Sequence, residues 1–224
     1  MINKIKGAIF DMDGTLVDSL IFWEYLWDHF GKTFFDGEKF HPTDEEDKAI
    51  RTMTIGDAMR YLYSIYRFGE SADKLAQLGT DMLGEFYEER AKLKCGVTEF
   101  LEHCKNRNIK MCVASASEKE YVKSVLSHLG IDKYFSGFFS CSEIGKGKDE
   151  PDVYLLALEH LGTKKEETCI FEDSLTAIKT AKKIGIKTVA IYDKYNYGQE
   201  EMKKIADEYV DDGETLLKLL DKGV

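Results

Sequence analysis

From Lys94 onward the chain alternates between two hydrophobic periods, and this alternation restricts the fold more than any other feature. VTEFLEHCKNRN (97–108), SEKEYVKSVLSHLG (117–130), PDVYLLALEHLG (151–162) and SLTAIKTAKKIG (174–185) repeat at helical spacing. Between them lie the short apolar runs IKMCVAS (109–115), YFSGFFSC (134–141), TCIFED (168–173) and KTVAIY (187–192), which read as strands. An earlier run, KIKGAI, leads into FDMDGTLVDS and reads as a buried first strand. Helices of this length between strands predict βαβ units, hence a parallel sheet with helices on both faces. Ser117 with Glu120 has the form of a capping box, Ser174 that of a helix cap, and a last helix is expected over about 213–222.

Residues 18–92 break the alternation. LIFWEYLWDHFG, TDEEDKAIRTMTIGDAMRYLYSIYRFG and ADKLAQLGTDMLGEFYEERAKL all read as helix, with a capping box expected at Thr43 and Glu46. The expected organisation is a Rossmann-like, three-layer α/β core of residues 1–17 and 93–224. An all-helical cap of residues 18–92 is inserted directly after the first strand. Trp23, Trp27, Tyr61 and Tyr66 fall at helical spacings and are expected to pack the cap.

Ligands of open parallel sheets sit beyond the carboxyl ends of the strands. Asp11, Asp13, Glu172 and Asp173 all fall at such ends, and so does Ser115. Asp11 and Asp13 are two apart in extended chain and so point the same way. Carboxylates crowded there repel one another, and a divalent cation relieves the repulsion. An all-oxygen donor set suits Mg²⁺, with room left for a phosphate oxygen.

The net charge of −10 argues against nucleic acid or an anionic membrane as the main partner. No stretch approaches the length of a membrane helix, and the start lacks the apolar run of a signal peptide. Five scattered cysteines without a C-x-x-C pair point to reduced, buried thiols in a cytoplasmic protein. The five histidines show no ligand spacing. A monomer is expected.

Four segments in order resemble the motifs of the haloacid dehalogenase-like hydrolases. They are DMDGT (Asp11–Thr15), Ser115 closing VAS, Lys148 in KDEPDVY, and FEDS (Phe171–Ser174). The resemblance extends over nearly the whole chain, cap included; where the family usually has Pro after the lysine, this chain has Asp149.

The resemblance implies Asp11 as nucleophile, forming an aspartyl-phosphate, and Asp13 as general acid and then base. It implies Mg²⁺ held by Asp11, the backbone carbonyl of Asp13, and Asp173, with Glu172 joining directly or through water. Ser115, Ser117 and the backbone around Met12 and Ala116 would hold the phosphoryl group, with Lys148 neutralising charge; Lys146 competes with Lys148 for that part. An acid at position 13 matches phosphatases and phosphosugar mutases rather than dehalogenases.

FEDS, VASAS and the helical cap resemble β-phosphoglucomutase and its sugar-phosphatase relatives. Trp23 stands where the mutase has a cap histidine, and Ile55 nearest its cap arginine, with Arg51 and Arg60 close by. Hydrolysis of a small phosphorylated metabolite, such as a sugar phosphate, is therefore expected ahead of mutase activity. A non-catalytic protein that keeps the fold is a further alternative.

Overall fold

The computed structural model describes residues 4–51 and 53–220. The chain divides into two compact units: one runs to Asp18 and resumes at Lys92, and the other is Ser19–Ala91.

The second unit is helical, built from α1 (Phe22–Phe34), α2 (Asp44–Ile50), α3 (Ile55–Tyr66) and α4 (Ala72–Glu89). Thr43 accepts the Glu46 N–H while the Glu46 carboxylate accepts the Thr43 N–H, so α2 starts on the expected capping box. Aromatic rings fill this unit. Phe30 and Phe68 meet edge to face at 5.1 Å, and Phe35 stacks on Phe40 at 4.7 Å. Trp27 is buried among them, and the Tyr66 hydroxyl donates to Glu46 at 2.6 Å.

The first unit holds a six-stranded, all-parallel sheet. Its strands are β1 (Gly7–Phe10), β2 (Lys110–Ser115), β3 (Phe138–Ser140), β4 (Thr168–Glu172), β5 (Lys187–Ile191) and β6 (Glu208–Val210), in the order β3-β2-β1-β4-β5-β6. The helices are α5 (Val97–Asn106), α6 (Lys119–His128), α7 (Cys141–Ile144), α8 (Asp152–Leu161), α9 (Leu175–Lys183) and α10 (Gln199–Ile205).

Side chains of β1 and β4 alternate between two buried layers, which is why both strands read as continuous apolar runs. Ile9 and Ile170 pack with Val153, Tyr154 and Ala157 of α8 and Ala177 and Ala181 of α9. On the other face Phe10 stacks on Phe171 at 4.4 Å and meets Phe100 of α5 edge-on. The three-layer α/β arrangement follows directly. The chain leaves β1 for β2 on one side and later returns to β4 on the other, so a topological switch point lies at the end of β1.

Several local expectations need correction. The helix expected from Ser117 begins at Lys119, with Glu118 at its cap and no side-chain cap bond. The run 134–141 holds a three-residue strand, preceded by a 3-10 turn at Asp132–Tyr134 and followed by α7. The last helix is a 3-10 turn at Leu216–Leu219, and the expected end at Lys222 lies outside the described residues. Both β6 and α10 are additions to the sequence reading. All five cysteines are free, but Cys95 is exposed rather than buried.

Candidate active site

The loop after β1 is shaped by its own backbone. The Asp11 N–H donates to the Phe171 carbonyl at 3.0 Å, extending the β1–β4 ladder by one step. The chain then curls back: the Met12 carbonyl accepts the N–H groups of Leu16 and Val17 at 2.9 Å, and Gly14 donates to Val17. Gly14 has φ +74°, a left-handed conformation that glycine adopts without penalty, so the turn requires the Gly that follows Asp13. Met12 is fully buried, Asp11 is 6% exposed, and Asp13 is half-buried.

Glu172 and Asp173 arrive beside Asp11 from the end of β4, both buried. Both oxygens of Glu172 are engaged. Oε1 accepts the Lys148 ammonium and the Tyr154 hydroxyl, the latter at 3.0 Å. Oε2 accepts the N–H groups of Asp173 and Ser174 at 3.1 and 3.2 Å. Glu172 thus caps the start of α9, where Ser174 makes no side-chain cap bond, contrary to expectation.

Lys148 donates to Asp11 Oδ1 at 2.5 Å as well as to Glu172, and its side chain is 11% exposed. Lys146 points elsewhere, pairing with Asp152 at 2.8 Å in an exposed position. Ser115, at the buried end of β2, accepts the Ser117 N–H at 3.0 Å. The Ser117 hydroxyl donates to Asp13 Oδ2 at 2.9 Å, which explains its absence from the α6 cap. Ala116 is exposed between the two serines.

Among the described residues, Asp11, Glu172 and Asp173 form a group whose ligand oxygens lie within 4.8 Å of one another. Asp13 is not in that carboxylate group. Burial pushes the Asp11 carboxyl well above the usual range; Lys148 opposes this, while Glu172, Asp173 and Asp13 reinforce it. Asp173 is pushed up to about 7 by burial and by Glu172, against the pull of Lys94 and an Asn196 hydrogen bond. Burial works against the Lys148 charge, but Asp11 and Glu172 overcome it and hold the ammonium protonated. Three buried carboxylates facing one lysine make an under-neutralised, all-oxygen donor set, which fits a hard divalent cation such as Mg²⁺.

Sequence reasoning missed three partners of these acids. Tyr154 projects from α8 to Glu172. Asn196, in the loop after β5, donates to Asp173 Oδ2 at 2.7 Å. Lys94 pairs with Asp193 at 2.8 Å in the same neighbourhood.

The family model for haloacid dehalogenase-like hydrolases matches residues 8–191. The chain belongs to this family. A relative in Thermotoga maritima, named phosphorylated carbohydrates phosphatase, is 27% identical over 83% of this chain and 84% of its own length. The fructose-1-phosphate phosphatase YqaB of Escherichia coli is 22% identical over 85% of this chain and 98% of its own. A solved Thermotoga maritima structure provisionally designated a beta-phosphoglucomutase superposes with a TM-score of 0.78 at 24% identity. That superposition covers 98% of this chain and 100% of the other. At that identity the structural likeness speaks to the fold alone.

Proposed function

We propose that this haloacid dehalogenase-like hydrolase is a Mg²⁺-dependent phosphatase of small organic phosphate monoesters, acting through a phosphorylated Asp11. The observation that carries the reading is a carboxylate, Asp11, buried against a lysine and two further acids, with another acid, Asp13, held two residues on.

Asp11 Oδ attacks phosphorus and the bond from phosphorus to the ester oxygen breaks. Asp13 gives its proton to the departing alkoxide. Water then attacks the phosphorylated Asp11, Asp13 takes the proton, and inorganic phosphate leaves. Lys148 faces the phosphoryl oxygens as charge gathers on them, a preorganised contribution that is often the largest catalytic effect. Ser115, Ser117 and the backbone N–H groups near Met12 and Ala116 orient those oxygens. Mg²⁺ would be held by Asp11, the Asp13 carbonyl and Asp173, and supplies further charge stabilisation to the transferring group. Glu172, with all its acceptor directions occupied, acts on the cation through its charge.

The names of the curated relatives support phosphorylated small molecules, sugar phosphates among them, as the substrate class. Two features of the helical unit favour hydrolysis over a mutase. Trp23 is buried with the Arg51 guanidinium 5.0 Å over its ring, so no imidazole stands at that position to move protons. Arg51 is already paired with the buried Asp47 at 3.1 Å, which neutralises the charge a second phosphate would need.

The test is phosphate release from p-nitrophenyl phosphate and a panel of sugar phosphates with Mg²⁺. EDTA and Asp11→Asn are each expected to abolish it. Full activity in Asp11→Asn would refute the covalent route. Isomer formation faster than phosphate release would turn the assignment to a mutase.

A further inference from the structure

The loop between β5 and α10 is bonded far more thoroughly than a connecting turn requires. Asp193, 4% exposed, accepts the Tyr195 N–H on one carboxylate oxygen and the Lys94 ammonium on the other, at 2.9 and 2.8 Å. Lys94 also reaches the Tyr192 carbonyl at 3.1 Å. Its backbone N–H is bonded to the Leu16 carbonyl, just after the Asp11–Thr15 motif. Gln199 clamps the loop from within, donating to the carbonyls of Asp193 and Asn196, and is itself held by the Tyr209 hydroxyl at 2.8 Å.

Asn196 projects from this loop to Asp173. Its Oδ1 accepts the Tyr197 N–H at 2.8 Å, which settles the amide orientation and leaves Nδ2 as the donor. Nδ2 donates to Asp173 Oδ2 at 2.7 Å and to the Asp173 carbonyl at 3.1 Å. A single amide thereby grips both the backbone and the carboxylate of one residue. The other carboxylate oxygen meets the Thr15 hydroxyl at 3.4 Å. Rotation of the Asp173 carboxylate is then fixed from two sides, by elements that make no use of the substrate.

We propose that Asn196 is a positioning residue for cation binding: it presents the Asp173 carboxylate to the metal at a set angle, on a loop braced by the Lys94–Asp193 ion pair. The proposal rests on the metal reading above. Partners that orient a ligand in this way are worth roughly 10–100-fold in metal affinity. Neither Asn196 nor its loop was distinguishable in the sequence from an ordinary turn.

The test is isothermal titration of the metal-free full chain with MgCl₂, for the wild type, Asn196→Ala and Asn196→Ser, beside thermal melting in EDTA. Both variants remove the amide donor. The expected result is a Mg²⁺ Kd raised at least about 10-fold in each, with little change in the EDTA melting midpoint. At saturating Mg²⁺ the KM for p-nitrophenyl phosphate should stay within about twofold, since a positioning role acts through the metal. A folded variant with wild-type Kd would overturn the proposal. So would a lowered midpoint with unchanged Kd, or failure of both variants to fold, since either assigns Asn196 to loop stability alone. A wild type that takes up no Mg²⁺ would instead overturn the metal reading beneath it.

Discussion

Replacing Asp173 with Asn should stabilise the metal-free protein while removing its activity. Burial and the Glu172 charge lift the Asp173 carboxyl from 3.8 to about 7. That is a displacement of about three on the pH scale, and at about 1.4 kcal/mol each it amounts to roughly 4 kcal/mol. The sign is unfavourable to the native state: above the unfolded value the carboxylate is ionised in the unfolded chain but must be protonated, or buried charged, in the folded one. The cost is absent below about pH 4, grows between 4 and 7, and is complete above that.

An asparagine keeps the shape and both contacts, with Oδ1 accepting from Asn196 and Nδ2 donating to Thr15. In EDTA at pH 8, Asp173→Asn should therefore melt about 8–16 °C above the wild type, and at pH 4 the two should nearly coincide. Adding Mg²⁺ narrows the gap, since only the wild type gains binding energy: about 2.7 kcal/mol at one hundred times Kd, and about 4.1 kcal/mol, enough to close it, at one thousand times Kd. Differential scanning calorimetry across pH, with and without Mg²⁺, reads all of this. A variant less stable than the wild type in EDTA at pH 8, or one whose advantage is the same at pH 4, would refute the reasoning.

Three further outcomes are expected. Lys148→Met should lower kcat for p-nitrophenyl phosphate by about 10²–10³-fold, while Lys146→Met stays within about twofold, as initial rates will show. Native protein at pH 8 should react with about one equivalent of a thiol reagent, at exposed Cys95, and with all five cysteines only after unfolding. Burial accounts for this by pushing Cys104 up to about 12 and Cys141 up to about 11. Asp47→Ala should destabilise the helical unit by roughly 3–5 kcal/mol, because it leaves the Arg51 guanidinium buried without its carboxylate; urea melts of the variant measure it.

The strand-end acids could be located from sequence because β1 and β4 are buried on both faces, so their apolar runs stop abruptly where Asp11 and Glu172 begin. Lys148 was separable from Lys146 only by motif spacing, and the structure sets Lys148 against Asp11 and Glu172. Ser117 was misread for a clear reason. Its spacing to Glu120 imitates a capping box, but the hydroxyl is bonded to Asp13 across 104 positions, and no local pattern encodes such a contact. Asn196, Tyr154 and Asp193 were missed for the same cause. Each looks locally like turn or helix material and gains its partner only when distant segments meet. The short β6 carries too few residues to show a period of two.

That dependence on distance bears on how the protein is made. Thr15 and Asp173 are 158 positions apart, and Asp11 and Lys148 are 137 apart. As the ribosome extends the chain, the first carboxylate emerges long before its lysine or its fellow acids. On the function proposed above, the nascent polypeptide could neither gather a cation nor attack a phosphate ester until its fourth strand had docked beside its first. That chemistry would be a late property of the molecule, arriving no earlier than the closing of the sheet's centre.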